Sequence, residues 1–319
     1  MSVQQDSQEF LGRLFDVLEG QTKKTEYKYL LESVFGGKTC SQLICTGGCG
    51  TVKNTIETFY NLSLEVKNMK TLNDSLDKYI SEEKIDDYKC EACKKNMTII
   101  KRNSLAELPN IFIVHLQRII FNYDNFQNDK VNSRLDFPKH LNLKNYTSEV
   151  LSKPNESTKA EEAKDSSAAN IIHEDSYKIY QKEDSYYEYE LVGVVVHTGT
   201  ADAGHYFSYI NVKRDGENEQ MTYDKSNSKD VNNWLEFNDT MIRSFNVNNI
   251  EDECFGGSQN LSGFTAMEGS DQANWESKPA QYEEKENIKS AYMLLYERKI
   301  KKPIKLICNK TDEKISNYY

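Results

Sequence analysis

The sequence predicts a mixed α+β fold, with one long helix followed mainly by strands. Residues 4–19 have apolar side chains at helical spacing, and Asp6 and Ser7 precede the apolar run as an N-terminal cap. Later segments are short, apolar and rich in β-branched residues, most clearly residues 111–116 and 191–196. That composition is typical of buried strands. A helix followed by a series of strands is the element order of an α+β protein.

The remaining helices are short. Gly20 is expected to end the first helix, because glycine is the common residue just past a helix C-terminus. Residues 29–35 form a second short apolar group, which a Gly-Gly pair closes. Residues 72–79 are predicted to form a short helix capped near Asn73.

The strand segments are separated by two polar stretches. These stretches, residues 148–187 and 247–289, are rich in charged and small polar residues and are predicted to be insertions. No internal repeat with a period of 20–50 residues is present. Extended segments are expected at residues 55–66, 111–116, 135–143, 189–196, 205–212 and 291–298.

Composition and charge exclude several classes of protein. The chain has 319 residues and a formal net charge of −10, from 40 Lys and Arg against 50 Asp and Glu. Nucleic acid is disfavoured as the main partner, because a phosphate backbone is bound by clustered positive charge. No apolar run approaches the 18 or so residues of a membrane helix, and the polar N-terminus lacks a signal peptide's apolar core. We therefore expect a cytoplasmic or nuclear protein whose seven cysteines are reduced.

Two pairs of cysteines have the spacing of a metal site. Cys45 and Cys49 form one pair, and Cys90 and Cys93 form a C-x-x-C pair. Four thiolates from two such turns can bind a tetrahedral zinc ion. The alternatives are four unligated thiols, replacement of one ligand by Cys40, redox chemistry at the C-x-x-C pair, and a zinc ribbon that binds nucleic acid. Structural zinc is the favoured interpretation.

His205 is the candidate for acid–base chemistry. It follows Gly204 at the start of a predicted strand, in the segment LVGVVVHTGTADAGHYFSYI. The sheet would hold the imidazole rigidly, and glycine would let a substrate backbone approach closely. Taken alone, a histidine beside a strand is more often a structural or surface residue.

A general-base histidine needs an acceptor for its second ring N–H. Asn238 or Asp239, in the segment WLEFND, is the candidate, with Asp224 and Asp230 as competitors. Such a pair suggests a cysteine protease, whose nucleophile should lie at a helix N-terminus, where the thiol pKa is lowered. None of the three remaining cysteines has that sequence context: Cys40, Cys254 and Cys308.

In combination, these motifs resemble the catalytic domain of the ubiquitin-specific proteases, the papain-like deubiquitinases. QQDSQEF resembles the family's QQD helix, and the two cysteine pairs resemble its zinc fingers. LVGVVVHTGTADAGHYFSYI resembles the histidine box, and LPNIFIVHLQR resembles a strand of the palm. WLEFND and SAYMLLYER resemble the segment of the third catalytic residue and the closing strand.

The resemblance implies a papain-like fold with zinc-ribbon fingers, a mostly antiparallel palm sheet and an incomplete thumb. It divides the chain into a thumb remnant at residues 1–37, fingers at 38–103 and a palm at 104–319. It implies isopeptide hydrolysis after the C-terminal glycine of ubiquitin, and as partners ubiquitin and ubiquitinated proteins. The implied site residues are the general base His205, its partner Asn238 with Asp239 beside it, Asp6 and Glu9 facing ubiquitin's arginine-bearing tail, the substrate-approach residue Gly204, and the zinc ligands Cys45, Cys49, Cys90 and Cys93.

One departure from the family pattern concerns the nucleophile. Members have a cysteine box upstream of the QQD helix, whereas here Met1 lies three residues before Gln4. The sequence therefore predicts an N-terminally truncated catalytic domain, inactive as written. The alternative is a binding module that holds ubiquitin and catalyses nothing.

Overall fold

A computed structural model of the protein describes residues 5–47, 49–151, 182–212, 233–259 and 285–306. These residues form two larger sheets, two small two-stranded sheets and several helices. The helices are α1 Ser7–Thr22, α2 Leu30–Phe35, α3 Leu72–Ile80, α4 Ser148–Leu151 and α5 Ile250–Cys254. The strands are β1 Gly37–Cys45, β2 Val52–Phe59, β3 Leu62–Glu65, β4 Glu83–Lys89, β5 Asn96–Glu107, β6 Ile111–Gln117, β7 Ile119–Asn122, β8 Gln127–Lys130, β9 His140–Asn142, β10 Glu188–Gly199, β11 Gly204–Asn211, β12 Trp234–Asn238, β13 Met241–Ser244, β14 Ser258–Gln259, β15 Lys285–Glu286 and β16 Lys289–Arg298.

Helix α1 begins at the predicted cap and ends later than predicted. The Asp6 carboxylate accepts hydrogen bonds from the backbone N–H groups of Gln8 at 2.7 Å and Glu9 at 3.0 Å. The expected end at Gly20 is wrong, since the helix continues to Thr22. A glycine in an exposed helix costs only about 1 kcal/mol relative to alanine, which is too little to end a helix whose backbone bonds continue.

Helix α3 confirms the predicted element but not its cap. The capping residue is Thr71, whose hydroxyl accepts a hydrogen bond from the N–H of Asp74 at 3.1 Å. The Asp74 carboxylate in turn accepts from the N–H of Thr71 at 2.9 Å. The helix begins at Leu72 as predicted, with its cap two residues before Asn73, and Leu72 and Leu76 lie in the core.

The first large sheet is a four-stranded antiparallel ribbon with the order β2-β1-β5-β4. Strand β1 ends at Cys45, and the turn between β4 and β5 contains Cys90 and Cys93. The register pairs Cys45 with Ile99, near the start of β5. The ends of these strands therefore bring both cysteine turns to one end of the ribbon.

The second large sheet has eight strands in the order β13-β12-β11-β10-β16-β6-β3, with β9 also paired to β10. Every pairing in it is antiparallel except that of β3 with β6. The predicted α+β class with a mostly antiparallel sheet is confirmed. The main core covers this sheet and includes Leu64, Leu76, Phe112, Val114, Val194, Val196, Leu294 and Tyr296.

The core extends into both ranges predicted as insertions. Tyr187 is buried near the end of the first range, and Ile250, Cys254 and Phe255 are buried within the second. The remainder of these stretches, residues 152–181 and 260–284, lies outside the described residues. The division into residues 1–37, 38–103 and 104–319 stays a prediction. No helix in the described ranges is long and apolar enough to cross a membrane.

Candidate active site and metal centre

The strand order places His205 beside Asn238. Strand β11 lies between β10 and β12, with His205 as its second residue. The register pairs Ser208 with Phe237, so Asn238 lies one residue further toward the start of β11. Two positions separated by 33 residues in the sequence thus come together on adjacent antiparallel strands.

A hydrogen bond joins the two side chains. Nε2 of His205 lies 2.7 Å from Oδ1 of Asn238. The amide nitrogen of Asn238 donates to Oε1 of Glu236 at 3.3 Å, which fixes the amide with its oxygen toward the ring. Because an amide oxygen only accepts, Nε2 donates this hydrogen bond, and in a neutral imidazole Nδ1 then carries the lone pair. The pair can therefore offer a proton acceptor at Nδ1 in a fixed orientation.

Asp239 is a more distant neighbour of the ring. Its Oδ2 lies 3.9 Å from Nε2 of His205, beyond hydrogen-bond distance, and its side chain is 77% exposed. It occupies the tight turn between β12 and β13 with a φ of 50°, a conformation that Asp tolerates better than most residues. Asn238 is thus the direct partner of His205. The competing positions Asp224 and Asp230 lie outside the described residues.

Gly204, immediately before His205, packs against the imidazole of His197. A Cβ atom at Gly204 would lie 2.3 Å from the carbonyl oxygen of Thr198 and 2.4 Å from Nε2 of His197. The turn that precedes it begins at Gly199, with a φ of 114° that favours glycine. The sequence suggested glycine for close approach of a substrate, whereas the structure gives an internal packing reason for it. The approach of a substrate at Gly204 stays a prediction.

His197 is a residue that the sequence reasoning did not single out. Its side chain is fully buried, and neither ring nitrogen has a hydrogen-bond partner among the described residues. Burial lowers its pKa to about 4, with a further contribution from the positive charge of Lys130. The rings of Tyr206 and Tyr292 lie 4.7 Å and 6.2 Å away. Its position in the apolar run VVVHTG was the signal that it is a neutral core residue.

The two predicted acidic positions differ in their surroundings. Both carboxylate oxygens of Asp6 have partners, because one caps α1 and the other accepts from the hydroxyl of Tyr292. Glu9 is exposed and pairs with Arg13 at 2.5 Å. Asp6 therefore connects α1 to β16, whereas Glu9 faces solvent. Their predicted contact with a ubiquitin tail stays a prediction.

The four predicted metal ligands form one cluster. The sulfur atoms of Cys45, Cys49, Cys90 and Cys93 all lie within 4.8 Å of one another. Those of Cys49 and Cys90 are 3.7 Å apart. Two sulfurs bound to one tetrahedral zinc ion at about 2.3 Å lie about 3.8 Å apart, so the donor set and its size fit a metal ion. The side chain and backbone N–H of Thr51 hydrogen-bond the sulfur of Cys49 and lower its pKa to about 6.

The remaining described cysteines are not part of this cluster. Cys40 is buried in the middle of β1 and is not among the clustered sulfurs, so it does not replace a ligand. Cys254 is buried in α5. Burial raises the pKa of both thiols. Among the described residues, neither cysteine forms a hydrogen bond with His205. Cys308 lies outside the described residues.

Comparison with known families decides the assignment. The model of the family "Ubiquitin carboxyl-terminal hydrolase" matches residues 1–296. The chain belongs to this family. The resemblance to ubiquitin-specific proteases that the motifs indicated is confirmed.

Individual members of the ubiquitin carboxyl-terminal hydrolase family are similar to most of the chain. Ubiquitin carboxyl-terminal hydrolase 24 of Mus musculus is 31% identical over 259 residues, which are 80% of this chain. Ubiquitin carboxyl-terminal hydrolase 9X of Mus musculus is 28% identical over 307 residues, or 92% of this chain. The match spans only 9% and 11% of these two relatives.

A solved structure confirms the fold. The structure of the SAGA Ubp8/Sgf11/Sus1/Sgf73 DUB module bound to ubiquitin aldehyde matches with a TM-score of 0.58 and 23% sequence identity. The match covers 94% of this chain and 50% of that chain. A second structure of the SAGA DUB module, bound to monoubiquitin, matches with the same TM-score and the same coverage. These matches support the mixed α+β fold with mostly antiparallel sheets.

Proposed function

We propose that the chain is part of a ubiquitin-specific protease that hydrolyses the isopeptide bond after the C-terminal glycine of ubiquitin. The hydrogen bond between His205 Nε2 and Asn238 Oδ1 is the single observation that supports this activity most strongly. It leaves Nδ1 as an oriented proton acceptor, which is what a cysteine protease requires of its histidine.

The proposed reaction uses a thiol from outside the described residues. His205 takes the thiol proton at Nδ1, and the thiolate attacks the carbonyl carbon of the isopeptide bond. The imidazolium then gives that proton to the leaving lysine amine, which leaves a thioester between enzyme and ubiquitin. In the second half His205 takes a proton from water, the hydroxide attacks the thioester, and the thiolate leaves. Asn238 keeps the ring in the same orientation throughout.

Charge supports ubiquitin and ubiquitinated proteins as partners. The net charge of −10 suits a partner that offers positive charge, such as ubiquitin's arginine-bearing tail. Asp6 and Glu9 are proposed to face that tail, with Glu9 the more accessible carboxylate. The same charge argues against nucleic acid as a partner. A cytoplasmic or nuclear location, without a membrane partner, remains part of the proposal.

Zinc is the proposed metal of the four-cysteine cluster. Four thiolates without an open position are typical of a structural zinc site, and the intersulfur distances suit that ion. The bound metal would hold the turn after β1 against the turn between β4 and β5.

A catalytically inactive ubiquitin-binding module is the second candidate. It is favoured by one observation, that no cysteine of the described ranges is hydrogen-bonded to His205. For the chain as written we expect no labelling by a ubiquitin probe with an electrophilic C-terminus. Labelling at Cys40, Cys254 or Cys308 would contradict this expectation.

The protease proposal is tested in the longest natural polypeptide that contains this chain. We expect His205→Ala to lower the rate of ubiquitin–lysine isopeptide cleavage by about 10²-fold or more, because the general base is removed. Ubiquitin binding, measured by calorimetry, should persist. The matched control is His140→Ala, which changes an exposed histidine of β9 and should leave the rate unchanged. Binding without any cleavage in the unmodified polypeptide would favour the second candidate.

A further inference from the structure

Lys130, the last residue of β8, binds the end of the strand that precedes the histidine turn. Its ammonium donates hydrogen bonds to the carbonyl oxygens of His197 at 3.1 Å, Gly199 at 3.1 Å and Ile288 at 2.6 Å. An ammonium has three N–H donors, so it can donate to all three carbonyls at once. Hydrogen bonds from a charged donor are stronger than those between neutral groups.

The end of β10 needs such a partner. The last register pair between β10 and β16 is Thr198 with Lys289, and Gly199 extends one residue beyond it. The N–H of Gly199 reaches the carbonyl of Ile288 at 3.4 Å. Lys130 donates to carbonyls of both chain segments at the point where the pairing of β10 with β16 ends. It therefore connects the end of β10 to the residue just before β16.

His205 is positioned directly across this strand end. The β10–β11 register pairs Thr198 with His205 and Gly199 with Gly204. The backbone of His205 therefore follows any displacement of the strand end that Lys130 binds. On its other side, the His205 ring is bound by Asn238.

We propose that Lys130 is a positioning residue for His205. It acts through the backbone of β10, and Asn238 acts through the imidazole. The assignment rests on the proposed function only in the role given to His205. A displacement of a reacting group by about 1 Å can cost about 10²-fold in rate, so a distant residue that sets such a position matters for catalysis.

The test measures the His205 ring itself, so that it is independent of whether the protein is a protease. In Lys130→Met, we expect the Nε2 proton of His205 to exchange with water about tenfold faster in 15N-resolved NMR, because its bond to Asn238 is weakened. Lys130→Arg, which keeps a cationic donor, should restore slow exchange at least in part. The matched control is Lys299→Met, which removes an exposed lysine paired with Glu188 and should leave the ring signal unchanged.

Two outcomes would overturn the proposal. One is a Lys130→Met variant with lowered thermal stability but an unchanged His205 ring signal, since Lys130 would then stabilise the fold without positioning the imidazole. If that variant does not fold, Lys130→Gln is measured in the same way. Failure of both to fold is the second overturning outcome, because Lys130 would then be needed for the fold as a whole.

Discussion

Gly204 lies on the ring of His197, so closely that a Cβ atom at this position would be 2.4 Å from Nε2. The glycine that precedes the candidate base is therefore a packing requirement of the sheet. Because His197 is fully buried beside the rings of Tyr206 and Tyr292, its imidazole has little room to move away.

We predict that Gly204→Ala destabilises the protein by about 1–3 kcal/mol, the usual cost of overpacking. The measurement is the denaturant concentration at the midpoint of unfolding, with the slope of the unfolding free energy against denaturant unchanged between the variants. Gly193→Ala in β10 is the matched control, since its Cβ would make ordinary contacts of 3.6 Å with Leu295. It should be neutral or slightly stabilising. Equal destabilisation by both substitutions would contradict the prediction.

Asn238 and Asp239 are predicted to differ in their effect on cleavage. In the longest natural polypeptide that contains this chain, Asn238→Ala should lower kcat by about 10²-fold, because the ring loses the partner that fixes its tautomer. Asp239→Ala should change kcat by less than about threefold, because its carboxylate lies 3.9 Å from the ring and is largely exposed. Steady-state kinetics on a ubiquitin–lysine isopeptide substrate measure both. A larger loss of kcat in the Asp239 variant than in the Asn238 variant would make Asp239 the functional partner of His205.

One zinc ion per chain is expected, bound by the four-cysteine cluster. Cys90→Ser should abolish stoichiometric zinc in metal analysis of the purified protein, because it removes one of four clustered thiolates. Cys40→Ser is the matched control, since Cys40 lies on the same ribbon but outside the cluster. Full zinc content in the Cys90 variant would exclude this site.

His197 should make the fold sensitive to acid. Its folded-state pKa of about 4 lies below the ordinary 6.5, so the unfolded chain binds more protons between these values. Stability then rises with pH, and it is lost as pH falls through 6.5 toward 4. We expect His197 to lower the free energy of unfolding by about 2 kcal/mol when the pH falls from 7 to 5. Denaturant unfolding of wild type and His197→Phe at both pH values measures it. An identical pH dependence in the two proteins would be evidence against a buried neutral imidazole.

Local patterns predicted the parts of the site that depend on neighbours in sequence. The extended segment predicted at residues 205–212 is observed as strand β11, Gly204–Asn211. The cysteine spacing predicted the cluster, because two turns at strand ends supply two thiolates each. By contrast, the predicted helix end at Gly20 is wrong, because a single glycine does not show whether the following turn keeps its backbone hydrogen bonds.

The sequence by itself determined the α+β class, the family motifs and the choice of His205 with its neighbouring amide and carboxylate. Only the tertiary structure decided that Asn238 rather than Asp239 contacts the ring, that His197 underlies Gly204, and that Lys130 binds the end of β10. The physical reason is the distance along the chain. Lys130 is 69 residues from Gly199 and 158 from Ile288, and no local periodicity encodes contacts that form only when separate strands pack together.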